Sequence, residues 1–188
     1  MVPRQKGRKY RKENNVSFRL AARRLFAYGI DVALLFAILA PMVFVAEKLT
    51  GLVPETPGEV WQAIVLGFSI PVWAYFALCD ASPRGETLGK RLLKLQVVSM
   101  DGQRLGLATS LARTALKLLP WEMAHVFGFA LAEQIGGVGQ AVGLIAANGL
   151  LVLYLCVVVI TKGKRTVHDF ILGTEVRRTL QSIQSIPK

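Results

Sequence analysis

A chain of 188 residues that is 53% hydrophobic and only 19% charged departs from soluble domains, in which about a quarter of the residues carry charge. Its net charge of +11 would point to nucleic acid in a water-soluble protein. Here, however, the apolar residues are gathered into long blocks with basic residues between them, which excludes an ordinary nucleic-acid binder and makes the bilayer, with its anionic headgroups, the expected partner.

Residues 1–15 are basic, polar and without period, and read as a disordered cytoplasmic arm. From Val16 to Arg24 the pattern suits an interfacial helix with Ser17 as its N-cap. The first apolar block, Ile30 to Leu49, begins too late and ends in residues too bulky for a signal peptide, so it is expected to stay as a span over about 28–49. The link TGLVPETPGE is short and rich in turn residues, leaving no room for an external domain. The second block, Val60 to Leu78, predicts a span over about 60–79. Pro41 and Pro71 interrupt these spans, either as kinks or as breaks at a transport site.

A cytoplasmic loop over 80–115 follows. Leu92 to Ser99 predicts a strand, Asp101-Gly102 a hairpin turn, and Gln103 to Leu107 the returning strand. The segment from Ala108 to Leu119 reads as a basic amphipathic helix whose Arg113 and Lys117 reach toward headgroups. Leu116 to Ala132 is a weak apolar block carrying Lys117, Glu122 and His125, with a span expected over 116–133. The block Val138 to Ile160 is the last span, and Gly139, Gly143 and Ala147 form a small-residue strip suited to close helix packing. Residues 16–178 therefore read as one transmembrane domain, followed by a tail over 179–188. The expected fold is an all-α, four-helix membrane bundle with a short cytoplasmic β-hairpin and an amphipathic helix.

Charge sets the topology. Basic residues crowd the segment before Arg24, the central loop (Arg84, Lys90, Arg91, Lys94, Arg104, Arg113) and the segment after Ile160 (Lys162, Lys164, Arg165, Arg177, Arg178). The first link holds Glu47, Glu55 and Glu59 against Lys48 alone. The positive-inside rule places both termini and the central loop in the cytoplasm, so the weak block crosses as well, or else forms a re-entrant pair with the last span.

Arg24 and Asp31 lie seven apart on one face of the first span, where a carboxylate in lipid needs a partner or water. They read as a structural anchor or as a proton or cation site tuned by arginine. Thr166, His168 and Asp169 lie just past the last span and can fold beneath the bundle toward Arg24. Adjacent His168 and Asp169 point apart and lack a nucleophile elbow, so no enzyme is expected. Glu122, His125, Glu133 and Asn148 could line a secondary polar track; Glu122 and His125 are one helical step apart. Lys90, Arg91 and Lys94 suit headgroup contact. Thr87 to Arg91 lacks the glycine and hydroxyl of a phosphate loop, which argues against ATP. Neither Cys79 nor Cys156 sits in a metal-ligand pattern, and no metal or cofactor is expected.

RRLFAYGID with Arg24 and Asp31, TLGKRLLKLQVVSMDGQRL with Thr87, Gly89 and Lys90, and TVHDFILGT with Asp169 occur in that order. Over roughly Val16 to Val176 the chain resembles the RDD family of small bacterial membrane proteins, named for one arginine and two aspartates. The resemblance implies a polytopic helical fold in the inner membrane and selects Arg24, Asp31 and Asp169 as the central residues. It implies transport of ions or small ligands, or an accessory role. Asp31 in the membrane with an arginine partner, and the polar third span, point to a small cation or proton-coupled carrier, oligomeric because four helices offer a thin pathway; the alternative is a non-catalytic accessory or assembly subunit of a membrane complex.

Overall fold

The computed structural model describes residues 5–179, with side chains from residue 19 onward. Helix α1 (Gln5–Thr50) is continuous. The segment expected as an unstructured arm therefore runs as helix from Gln5, and residues 1–4 lie outside the described residues. No helix starts at Ser17, so that residue has no capping position to fill.

After the turn, Thr56 and Glu59 cap each other's backbone at the start of α2 (Pro57–Ile64). A π-helical turn, Val65–Ser69, joins α2 to α3 (Ile70–Ala81). Proline at 71 removes one helical N–H and crowds the carbonyl four residues back, and the wider turn absorbs both defects. The run Pro57–Ala81 is thus one bent span, not a broken one.

The segment after α3 holds α4 (Leu88–Leu92) and β1 (Leu95–Ser99). Helix α5 (Leu107–His125) passes through a π turn, Val126–Ala130, before α6 (Ala132–Ile160). Glycine at 136, with φ 64°, kinks α6 near its start. The chain ends in α7 (Val167–Leu172) and β2 (Thr174–Arg178).

Three helical runs, Arg19–Thr50, Pro57–Ala81 and Ala132–Ile160, are long and apolar enough to cross a membrane. Their outward faces carry Phe36, Met42, Phe44, Leu66, Ile70, Val138 and Ile145, all exposed. Such a continuous apolar exterior is tolerable only in lipid. The expected fourth apolar span is not among them. Over 116–133 the chain is helical, but Lys117 and Glu122 hold its hydropathy below that of the other three.

The sheet corrects another expectation. Strand β1 pairs antiparallel with β2, Leu95 opposite Arg178 and Ser99 opposite Thr174, so its partner comes from the C-terminal end rather than from Gln103 to Leu107. A local turn survives in the bond from Ser99 N to Gln103 O, 2.9 Å, but it does not grow into a ladder. Leu95, Val97 and Val176 on the inner face of the ribbon pack with Leu105 and Ala27, forming a small apolar core that fixes the ribbon to α1.

Candidate functional site

The sequence TVHD begins α7 because its first and fourth residues suit a helix start. Thr166 donates from its backbone N, 2.9 Å, and its hydroxyl, 2.8 Å, to Asp169 Oδ2. This aims the Asp169 carboxylate inward, where it is wholly buried. Its other oxygen accepts the Thr174 hydroxyl at 2.8 Å and the Arg113 guanidinium, with Nε at 3.0 Å and Nη2 at 2.9 Å. Arg24 descends from α1 to Asp169 Oδ2 and also donates to Lys164 O, 3.2 Å, and Thr166 Oγ1, 3.1 Å.

Arg113 extends the network. Its Nη1 reaches Asp80 Oδ2 at 2.5 Å, and Lys90 donates to the other Asp80 oxygen. Arg24, Asp169, Arg113, Asp80 and Lys90 therefore alternate in sign and come from α1, α7, α5, α3 and α4. Each ion would cost several kcal/mol to bury alone, so the alternation is a condition of the fold. We call this network the clasp.

Asp31 stands apart from it. The Tyr75 hydroxyl at 2.7 Å, the Gly89 amide at 2.7 Å and the Thr87 hydroxyl all donate to its carboxylate. Gly89 is required by closeness: a Cβ there would lie 2.1 Å from Ala27 O on α1. The Arg24–Asp31 pairing considered from sequence is not formed. Seven residues advance a helix by roughly 10 Å, and Arg24 is drawn the other way by Asp169. The middle motif thus divides its work, Thr87 and Gly89 holding Asp31 while Lys90 holds Asp80.

Burial opposes ionisation of Asp169, but Arg113 and Arg24 hold its carboxyl well below the usual carboxylate range. Burial, reinforced by Arg113, keeps the His168 imidazole well below its ordinary value. His168 Nε2 lies 2.6 Å from Thr166 Oγ1, while its Nδ1 is buried without a hydrogen-bond partner among the described residues. Burial lowers Lys90, with Asp80 countering it.

Two headgroup assignments are corrected by this geometry. Lys90 is buried on Asp80 and Arg113 is 2% exposed between two aspartates, whereas Arg91 and Lys94 remain exposed. Nor does a polar track form. Glu122 accepts from Trp73 Nε1, 2.9 Å, and Ser69, 3.1 Å, while His125 Nδ1 lies 2.8 Å from Trp121 O. Glu133 is exposed, and Asn148 donates to Leu144 O at 2.8 Å. The strip on α6 serves packing: Gly143 admits Phe127, whose ring a Cβ would meet at 2.1 Å.

Lys117 was expected at the headgroups and instead turns into the bundle, its Nζ 3.2 Å from the centroid of the Phe76 ring. Among the described residues it forms no ion pair. It borders two cavities. One, of about 130 Å³, lies against the clasp and is lined by Arg24, Asp31, Lys90, Arg113 and His168. The other, of about 430 Å³, lies between α1, the second span, α5 and α6, and is lined almost wholly by apolar side chains, with Asn148 among them.

Sequence reasoning missed Asp80 and the bridging part of Arg113. The available signal was an acid at the inner end of an apolar block, which needs a buried cation. Among the described residues no group of three or more histidines, cysteines or carboxylates is arranged to hold a metal. Neither curated proteins nor solved structures gave a match to the chain. The family profile that does match spans residues 19–173 and takes in Arg24, Asp31, Asp169 and the TLGK turn; this multi-pass helical membrane protein belongs to the RDD family.

Proposed function

We propose that the protein is a non-enzymatic carrier of the bacterial inner membrane, with the larger cavity as its ligand chamber and the clasp as its cytoplasmic base. Four crossings with both termini cytoplasmic fit the charge distribution, α5 and its π turn forming the third crossing with its polar residues turned into the bundle. The observation that carries the transport reading is Lys117, a basic side chain inside the bundle that borders both cavities and is held in no ion pair among the described residues. A charge at such depth marks a functional position by default.

The same geometry bears on ligand sign. Asp31, Asp80 and Asp169 are each saturated by donors, so a cation would have to displace a buried partner. Lys117 has no such partner to lose, which favours an anionic ligand over the small cation that Asp31 suggests from sequence. Proteoliposomes loaded with radiolabelled sodium or with a short alkyl sulfonate, whose charge is permanent, test this. Protein-dependent efflux of the sulfonate that disappears in Lys117→Met is the expected result. Sodium efflux alone, indifferent to that substitution, overturns it.

One observation favours the second reading, an accessory subunit: the clasp is closed and internally paired, as a rigid scaffold would be. A stoichiometric partner recovered in mild detergent, together with no flux of either probe, would support it.

A further inference from the structure

We propose that the occupant of the larger cavity is a single-chain anionic amphiphile, a free fatty-acid-type carboxylate drawn sideways from the bilayer, whose head pairs with Lys117. The inference rests on the cavity being the ligand chamber and adds the class of ligand.

Three features select this chemistry. The walls are hydrocarbon and aromatic, including Phe36, Leu39, Phe68 and Trp121, so they accept an alkyl chain without leaving polar groups unpaired. Lys117 stands at the end of the chamber that adjoins the clasp, where the ligand would need its charged head. A carboxylate there supplies the direct ion pair that Lys117 lacks among the described residues, because the nearby aspartates are already engaged by other donors. The chamber also has access from lipid: Phe36 is 63% exposed and Trp121 50%, so wall residues reach the outer face of the bundle. A volume of about 430 Å³ falls in the lower half of the roughly 300–1,000 Å³ typical of ligand sites. It suits one chain better than a two-chain phospholipid.

The test uses the full-length protein in lipid nanodiscs, photolabelled with diazirine-bearing palmitate or diazirine-bearing phosphatidylcholine. Palmitate is expected to mark Phe36, Leu39 or Trp121, with competition by unlabelled palmitate and much weaker competition by the neutral alcohol of equal length. Lys117→Met keeps the linear stem and removes the charge. It should weaken palmitate labelling by about tenfold or more, the equivalent of losing one charge-assisted hydrogen bond, and Lys117→Arg should restore part of it. Equal labelling by phosphatidylcholine, equal competition by the alcohol, labelling unchanged in Lys117→Met, or cross-links from the cavity to a second copy of the chain would each overturn the proposal. Sulfonate flux without palmitate labelling removes this ligand and leaves the carrier reading standing. Labelling without flux removes the carrier reading and leaves the ligand.

Discussion

The clasp and the chamber above it share a border at Lys117, yet they treat charge in opposite ways. In the clasp, three cations and two carboxylates alternate until every ion has a partner of opposite sign. At the chamber's edge, Lys117 stands over the Phe76 ring and is held in no ion pair among the described residues, although Asp80 and Asp31 act on it through space. Saturated charge belongs to stability, because changing it exposes a partner to burial alone. Unsaturated charge belongs to function, because the protein already tolerates its isolation and a ligand can relieve it.

The largest effect that would sharpen this contrast lies at the centre of the clasp. Asp169→Asn strips Arg24 of its counter-charge and Arg113 of one of its two, and a loss of about 3–5 kcal/mol is expected. Thermal unfolding in detergent reads it as a much lower Tm; an unchanged Tm would mean that the clasp does not hold α7 and the ribbon to the bundle. Next comes Asp31, held by neutral donors. Tyr75→Phe removes one hydrogen bond to a buried carboxylate and should cost about 1.5–3 kcal/mol, while a loss as large as that of Asp169→Asn would erase the distinction between the two aspartates.

Acid should dismantle the clasp in two stages. His168 is held neutral in the folded protein, so the unfolded chain takes up its proton first. Stability is full above about pH 6.5 and declines as pH falls below it. Asp169 has a depressed folded value, so its contribution is full above about pH 3.9 and is lost as pH falls through that lower value. The stability profiles of wild type and His168→Gln should run parallel above about pH 6.5, with wild type falling more steeply below it; parallel profiles across the whole range would contradict the first stage. The smallest effect on stability is expected at Lys117. Lys117→Met should leave Tm no lower than wild type, and a fall approaching that of Asp169→Asn would show that the chamber's cation is structural after all.

Much of this was legible in the residues. Long apolar blocks marked three membrane-length helices, and the TVHD turn could be seen to fold back toward Arg24. The β ribbon could not be read locally. Asp101-Gly102 signals a turn, but Gln103, Arg104 and Gly106 give the return segment no apolar alternation, and β2 wins the pairing from about 80 residues away because Val176 completes the core with Leu95 and Val97. Arg113 and Lys117 illustrate a second limit. On a helical wheel they are interfacial cations, and only the placement of Asp80, Asp169 and Phe76 on other elements turns them inward.

The reach of the Arg24–Asp169 contact, 145 residues along the chain, also sets a timetable. At about 5–20 residues per second, the ribosome delivers Asp169 roughly 7–30 s after Arg24. Throughout that interval the first helix sits in the membrane with its arginine unanswered, and β1 likewise waits for β2. Newly made protein should therefore pass through a stage in which the helices are inserted but the layer of clasp and ribbon is open, and a protease on that side of the membrane would cut nascent chains between α4 and α5 until the last strand arrives.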